Sequence, residues 1–175
     1  RYKADEPGKS GSFPFRAYTL SAGQCRKLAT VIEQEDIQAG KVKNMLWAAD
    51  AMIVVTWLPD VFGETAARSA DEFIMEPMPF VGNGRNMEHI AAAAAAIQNM
   101  LLVATERGHL NYWSSGGMLR QAVLREPMGV PMTEIMLGCI FAFPGDSAER
   151  GAEVKSGKHR QMEKDADLWA TASSL

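Results

Sequence analysis

The stretch from Asn86 to Arg107 constrains the fold more than any other part of the chain. After Asn86-Met87-Glu88-His89 come Ile90, six consecutive alanines and then Ile97, Met100, Leu101, Leu102 and Val103, with Gly108 closing the run. Asn86 is a suitable N-cap, Glu88 suits the positive end of a helix dipole and Gly108 suits the stop, which predicts a helix over Met87 to Arg107. Its apolar residues lie on almost every face. Such a helix must be enclosed, either by the rest of the domain or by a partner subunit. The run from Ile90 to Thr105 is shorter than the ~20 residues a membrane span needs and carries Gln98 and Asn99, so it reads as a core helix and no membrane is expected.

The partners for that helix are legible on both sides of it. Ala51 to Leu58 is a continuous apolar run rich in β-branched residues, which fits a strand covered on both faces and reads as the central strand, and Glu134 to Phe143 is a second strongly apolar strand before Pro144. Phe15 to Leu20 predicts a further strand. Ser21 and Gln24 then have capping-box spacing, and a helix carrying Leu28, Val31, Ile32 and Ile37 should run on to a stop at Gly40. Lys41 to Ala49 predicts a short helix, and Met118 to Arg125 another that ends before Pro127. From Pro59 to Arg85 no element is expected, because Pro77, Pro79 and Gly82-Asn83-Gly84 break every pattern. The polar tail after Gly145 ends near an apolar pair, Leu168-Trp169, able to dock on a neighbour. No internal repeat is present. A length of 175 residues predicts a single domain over residues 1–175.

Composition narrows the function. With 47% hydrophobic and 22% charged residues the chain is neither disordered nor fibrous. A net charge of −3 offers no general attraction for nucleic acid or anionic lipid. Cys25 and Cys139 stand far apart with no His or Cys at ligand spacing, so neither a disulfide framework nor a metal site is expected, and a reducing cytoplasm suits the chain. No charged-then-apolar leader pattern is visible before the first strand, so no signal peptide is expected, and the absence of an initiating Met makes a missing start an expectation.

Few residues carry recognisable chemistry. The three histidines, His89, His109 and His159, have no nucleophile motif beside them, and Gly82-Asn83-Gly84 is only a fragment of a dinucleotide fingerprint. The informative segment is Gly108 to Gly117, read as the connection from the long helix to the next one. Its Trp113-Ser114-Ser115-Gly116 turn offers hydroxyls and backbone amides ahead of a helix start, able to hold a phosphate or the polar edge of a flat ring. On its own such a turn is more often a plain helix start with an N-cap serine. Lys9 and Ser10 in the first loop, and Lys158 and Arg160 in the tail, are candidate donors to an anionic ligand; solvated loop cations are the plain alternative.

Taken in order, these segments resemble the nitroreductase superfamily, and within it the compact branch of small FMN-dependent reductases. Glu6 to Arg16 is similar to that branch's Ala-Pro-Asp-His segment followed by Pro-Trp-Arg or Pro-Trp-His. Ala51 to Leu58 resembles its strand after Ala-Pro, and Gln98-Asn99-Met100-Leu101-Leu102-Val103-Ala104 its Gln-Asn-Leu-Leu-Leu-Ala-Ala helix. Gly108-His109-Leu110 stands for its Gly-Leu-Gly turn, Trp113-Ser114-Ser115-Gly116 for its Trp-Arg-Thr-Gly or Trp-Arg-Ser-Gly, and Phe141-Ala142-Phe143-Pro144 for its Leu-Gly-x-Pro strand ending. The likeness spans about residues 6 to 145.

The resemblance implies an α+β, three-layer sandwich, a mostly antiparallel central sheet flanked by helices, assembled as a homodimer. It implies FMN as cofactor, reduced by NADH or NADPH and reoxidised by a nitroaromatic, quinone or related small acceptor, with no side chain needed as an obligatory acid or base. The cofactor-binding residues would be Lys9, Ser10, Trp113, Ser114, Ser115, Gly116, Lys158 and Arg160. The pattern departs from the family in four places. Lys9 stands for the usual His, Ser114 for the usual Arg and Ala142 for a Gly, and the opening helix has no counterpart before Arg1. A flavin-binding or ligand-free relative with a role in binding or sequestration is the alternative function.

Overall fold

The computed structural model describes residues 14–58, 82–149 and 151. Those up to Gly145 form one compact unit, while Asp146–Glu149 and Gly151 fall in a second. The elements of the first unit are β1 (Phe15–Ser21), α1 (Ala22–Gln34), α2 (Lys41–Ala48), β2 (Ala51–Trp57), α3 (Gly84–Glu106), β3 (Leu110–Ser114), a 3₁₀ turn (Gly117–Arg120), α4 (Ala122–Arg125) and β4 (Ile135–Phe143).

The four strands make one sheet in the order β1-β2-β4-β3, with every neighbouring pair antiparallel. The two apolar runs, β2 and β4, occupy its centre, as their composition demands: an interior strand buries both faces. Met52, Val54, Cys139 and Phe141 face a core closed by α1, α2 and α4. Val55, Trp57, Ile135 and Ile140 face the other way, against Ala93 and Ile97 of α3. The result is the expected three-layer α/β/α arrangement. Between β2 and β4 the register slips by one residue. Val55 pairs with Gly138 and Thr56 with Met136, which leaves Leu137 as the extra residue of a bulge.

Local signals explain most boundaries. Ser21 and Gln24 form the predicted capping box, with Gln24 Oε1 accepting from the Ser21 amide at 2.9 Å. Helix α1, however, ends at Gln34 rather than running to Gly40, because Asp36 takes a positive φ of 49° that breaks the spiral and leaves Ile37 in the turn. Helix α3 begins at Gly84, earlier than predicted. Asn83 is its cap, accepting from the Asn86 amide at 2.8 Å, while Asn86 is buried in the first turn. At the other end Gly108 has φ +79° and gives a Schellman close, with the His109 amide donating to Ala104 O and the Gly108 amide to Thr105 O. The predicted single helix from Met118 to Arg125 is instead two short pieces, separated where Gln121 turns extended (ψ 145°).

The described residues do not enclose α3. Only Asn86, Ala93 and Ile97 are buried along its 23 residues. The opposite face is open, with Met87 at 65% and Leu102 at 58% exposure. By length and composition α3 is also long enough to cross a membrane, longer than the run from Ile90 to Thr105 suggested, yet one of its faces is a layer of this domain's core.

Candidate functional site

Segment Leu110–Ser114, read from the sequence as part of a connection, is the edge strand β3, paired along its whole length with β4 from Leu110↔Phe143 to Ser114↔Cys139. The strand is held to the end of α3 by Asn111, whose Nδ2 donates to Thr105 Oγ1 at 2.8 Å and to His109 O at 3.2 Å. The Trp113-Ser114-Ser115-Gly116 segment therefore starts on the sheet. It leaves the sheet at Ser114 and turns through Gly116 and Gly117 into the 3₁₀ turn.

The turn is built from side-chain-to-backbone bonds. Ser114 is buried, and its Oγ accepts from the Gly116 amide at 3.2 Å, so this hydroxyl is engaged in shaping the turn. Arg120 reaches back from the 3₁₀ turn and its Nε donates to Ser115 O at 2.9 Å. Gly116 (φ +95°) and Gly117 (φ +49°) both occupy backbone conformations that L side chains rarely adopt. A Cβ on Gly116 would face inward, 3.5 Å from Met136 Cε, whereas one on Gly117 would meet nothing within 4 Å. The backbone at Gly117 is thus bare on its outer side, and Ser115 beside it is exposed. The two strand residues before the turn's Ser114 are exposed aromatics on opposite faces of the sheet, Tyr112 at 53% and Trp113 at 39% exposure. The exposed Trp113 indole, the Ser115 hydroxyl and the bare backbone of Gly117 are groups that could meet a flat ligand with a polar edge.

The chain matches no protein-family model and no curated protein. Among solved structures it is similar to a nitroreductase-like family protein from Bacillus cereus, at 20% identity and a TM-score of 0.52, over 85% of this chain and 72% of that one. Its fold is nitroreductase-like. A nitroreductase with bound FMN from Bacteroides fragilis is also similar, at 15% identity and a TM-score of 0.50, over 83% of this chain and 71% of that one.

Within this nitroreductase-like fold, Trp113, Ser114, Ser115 and Gly116 come together at the end of the edge strand. Lys9, Ser10, Lys158 and Arg160, and the apolar pair Leu168-Trp169, lie outside the described residues. Among the described residues no group of three or more His, Cys, Asp or Glu could hold a metal.

A polar cluster that sequence reasoning missed lies under one end of the sheet. Glu134, just before β4 and 1% exposed, accepts at Oε1 from Arg16 Nη1 at 2.6 Å. Its Oε2 accepts from the hydroxyls of Tyr18 at 2.7 Å and Thr56 at 2.6 Å. Buried Arg125 of α4 donates from Nη2 to Glu134 O at 2.7 Å and to Pro131 O. Its Nε and Nη1 find no partner among the described residues. Burial pushes the Arg125 guanidinium below its ordinary range, an effect that Glu134 opposes. Burial, and then the bond to Glu134, push the Tyr18 phenol up. The cluster joins β1, β2, α4 and the head of β4, which is a structural role. Only the fold brings positions 16, 18, 56, 125 and 134 together, and no spacing rule in the sequence signals it.

Proposed function

We propose that the chain is a member of the nitroreductase superfamily, an FMN-dependent oxidoreductase that works as a homodimer. The observation that carries this reading is the nitroreductase-like fold, with the turn of exposed Ser115 and bare Gly117 following the exposed Trp113 ring. The solved structure with FMN bound that shares the fold supports the choice of cofactor. Bound FMN would take a hydride from NADH or NADPH and pass electrons to a small acceptor such as a nitroaromatic or a quinone.

The chain's own residues then bind and orient. Trp113 offers a flat apolar surface, Ser115 a hydroxyl and the glycine backbone a close approach. On the resemblance, Lys9, Ser10, Lys158 and Arg160 would add charge and hydrogen bonds to the cofactor. None acts as an obligatory acid or base. The uncovered face of α3 supports the dimer, because in water an apolar helix face of that length calls for a cover.

The test uses the full chain. It should purify yellow or take up added FMN, and NADH or NADPH should bleach it anaerobically. A colourless protein that binds no FMN sinks the oxidoreductase reading and leaves the ligand-free, sequestering relative.

A further inference from the structure

Gly138 is in none of the motifs that carry the resemblance. It lies in the middle of β4, next to the Leu137 bulge and opposite Val55. A side chain there would collide with two atoms of the candidate site. An added Cβ would stand 2.4 Å from Trp113 Nε1 and 2.5 Å from Ser114 O, with Trp113 Cδ1 at 3.0 Å. The first two distances are ones that real Cβ atoms essentially never show. The φ of Gly138 is not in the left-handed region, so its backbone does not require a glycine. What requires one is the neighbouring strand: the pyrrole edge of the Trp113 indole and the carbonyl that opens the turn both occupy the side-chain position of residue 138.

We propose that Gly138 is a positioning residue of the candidate ligand site: the notch it leaves in β4 seats the Trp113 indole and the Ser114 carbonyl, and so aims both the aromatic surface and the turn at the ligand. This rests on the reading of the Trp113–Gly116 segment as the flavin contact. The indole is seated along one edge and still 39% exposed, the arrangement of a ring held in place while part of its surface stays available. The bulge at Leu137 fits the same role, since bulges re-aim neighbouring residues where a sheet carries a site. A methyl group at 138 must push the indole out of its notch and move the carbonyl. Backbone atoms cannot yield as a flexible side chain would, so the turn moves with it.

The experiment compares Gly138→Ala with Gly145→Ala in the full-length protein. Gly145 is a control of the same kind at the other end of β3, where an added Cβ would meet Gly108 O at 2.7 Å and no atom of the turn. Both variants should melt below the wild type. Gly138→Ala alone should weaken FMN binding at least tenfold by flavin titration, and should alter the Trp113 part of the tryptophan emission, obtained by difference against Trp113→Phe. Equal losses of FMN affinity in the two variants, or unchanged affinity in folded Gly138→Ala, overturn the proposal. Should Gly138→Ala not accumulate as folded protein, Trp113→Ala tests the same seat from the ring's side, and unchanged FMN affinity there overturns it as well. If the wild type takes up no FMN, the flavin reading falls separately, and the emission difference between Gly138→Ala and Gly145→Ala alone decides whether Gly138 seats the indole.

Discussion

Replacing Glu134 by leucine should be among the most destabilising single changes in this domain, and the structure shows where the loss comes from. The carboxylate is 1% exposed and accepts from three donors. Arg16 is 52% exposed and can rehydrate, so losing that pair costs at most about 1 kcal/mol. Thr56 is fully buried, and its stranded hydroxyl costs about 1–3 kcal/mol. Tyr18, half-buried, loses a bond to a charged acceptor, worth about 1.5–3 kcal/mol before water takes up part of its need. Leucine returns some apolar burial, which leaves a net loss of about 2–4 kcal/mol. Urea denaturation should show a lower midpoint with an unchanged slope.

A second substitution separates this account from a general intolerance of change at 134. In Thr56→Val the buried hydroxyl is gone, so Glu134→Leu should cost about 1–3 kcal/mol less in that background than alone. Additive effects, agreeing within about 0.5 kcal/mol, would refute the argument that the stranded hydroxyl drives the loss. Glu134→Gln should fall between the two. Its oxygen can still serve Tyr18 and Thr56 while its NH₂ faces only the half-exposed Arg16.

Three further outcomes are expected. Burial pushes the Cys139 thiol up to about 12 from its ordinary 9.0, so its stabilising effect is complete below pH 9 and is lost as pH rises toward 12, at up to about 1.4 kcal/mol per pH unit. Urea midpoints from pH 8 to 11 should fall less steeply in Cys139→Ala, with Cys25 and Tyr18, both raised by burial, keeping some slope; an identical slope in the variant argues against the shift. Gly116→Ala meets no neighbour closer than 3.5 Å, so its cost is backbone strain at φ +95°, about 1–3 kcal/mol, and should appear as a lower melting temperature with weaker FMN binding; neither change would return Gly116 to an ordinary turn position. Leu102→Lys charges the open face of α3 and should shift the protein toward monomer in sedimentation with loss of flavin; a wild-type monomer that holds FMN on dilution defeats the dimer.

How far the sequence was legible depended on whether a signal was local. The capping box at Ser21 and Gln24, the central strands β2 and β4 and the stop at Gly108 were read correctly, because each is set by residues within a few positions of one another. Strand β3 was missed because Leu110–Ser114 sits between turn-forming glycines and serines, and its uneven burial shows no alternation to count. Asn86 was read as the cap of α3 by its residue type, and Asn83 takes that place. The deciding fact, that Asn86 is buried against the domain, is tertiary. The break at Gln121 carries no Gly or Pro to announce it. The candidate turn was located by its residue types, while the requirement at Gly138 was invisible, because it arises from a strand paired across the sheet.

Helix α3 shows the same limit from the other side. Its composition stated how much cover the helix needs and was silent on who supplies it. The described domain covers one face with β2 and β4, through Ala93 and Ile97, and leaves Met87, Leu102 and Val103 outward. Alanine at 91 and 95 on the open side leaves little side-chain bulk there, so another element could approach the backbone closely. A helix built only to finish a monomer's core would need its apolar residues on one stripe. Here the excess lies opposite that stripe, where only something outside this layer can bury it, and that is the physical content of the homodimer proposal.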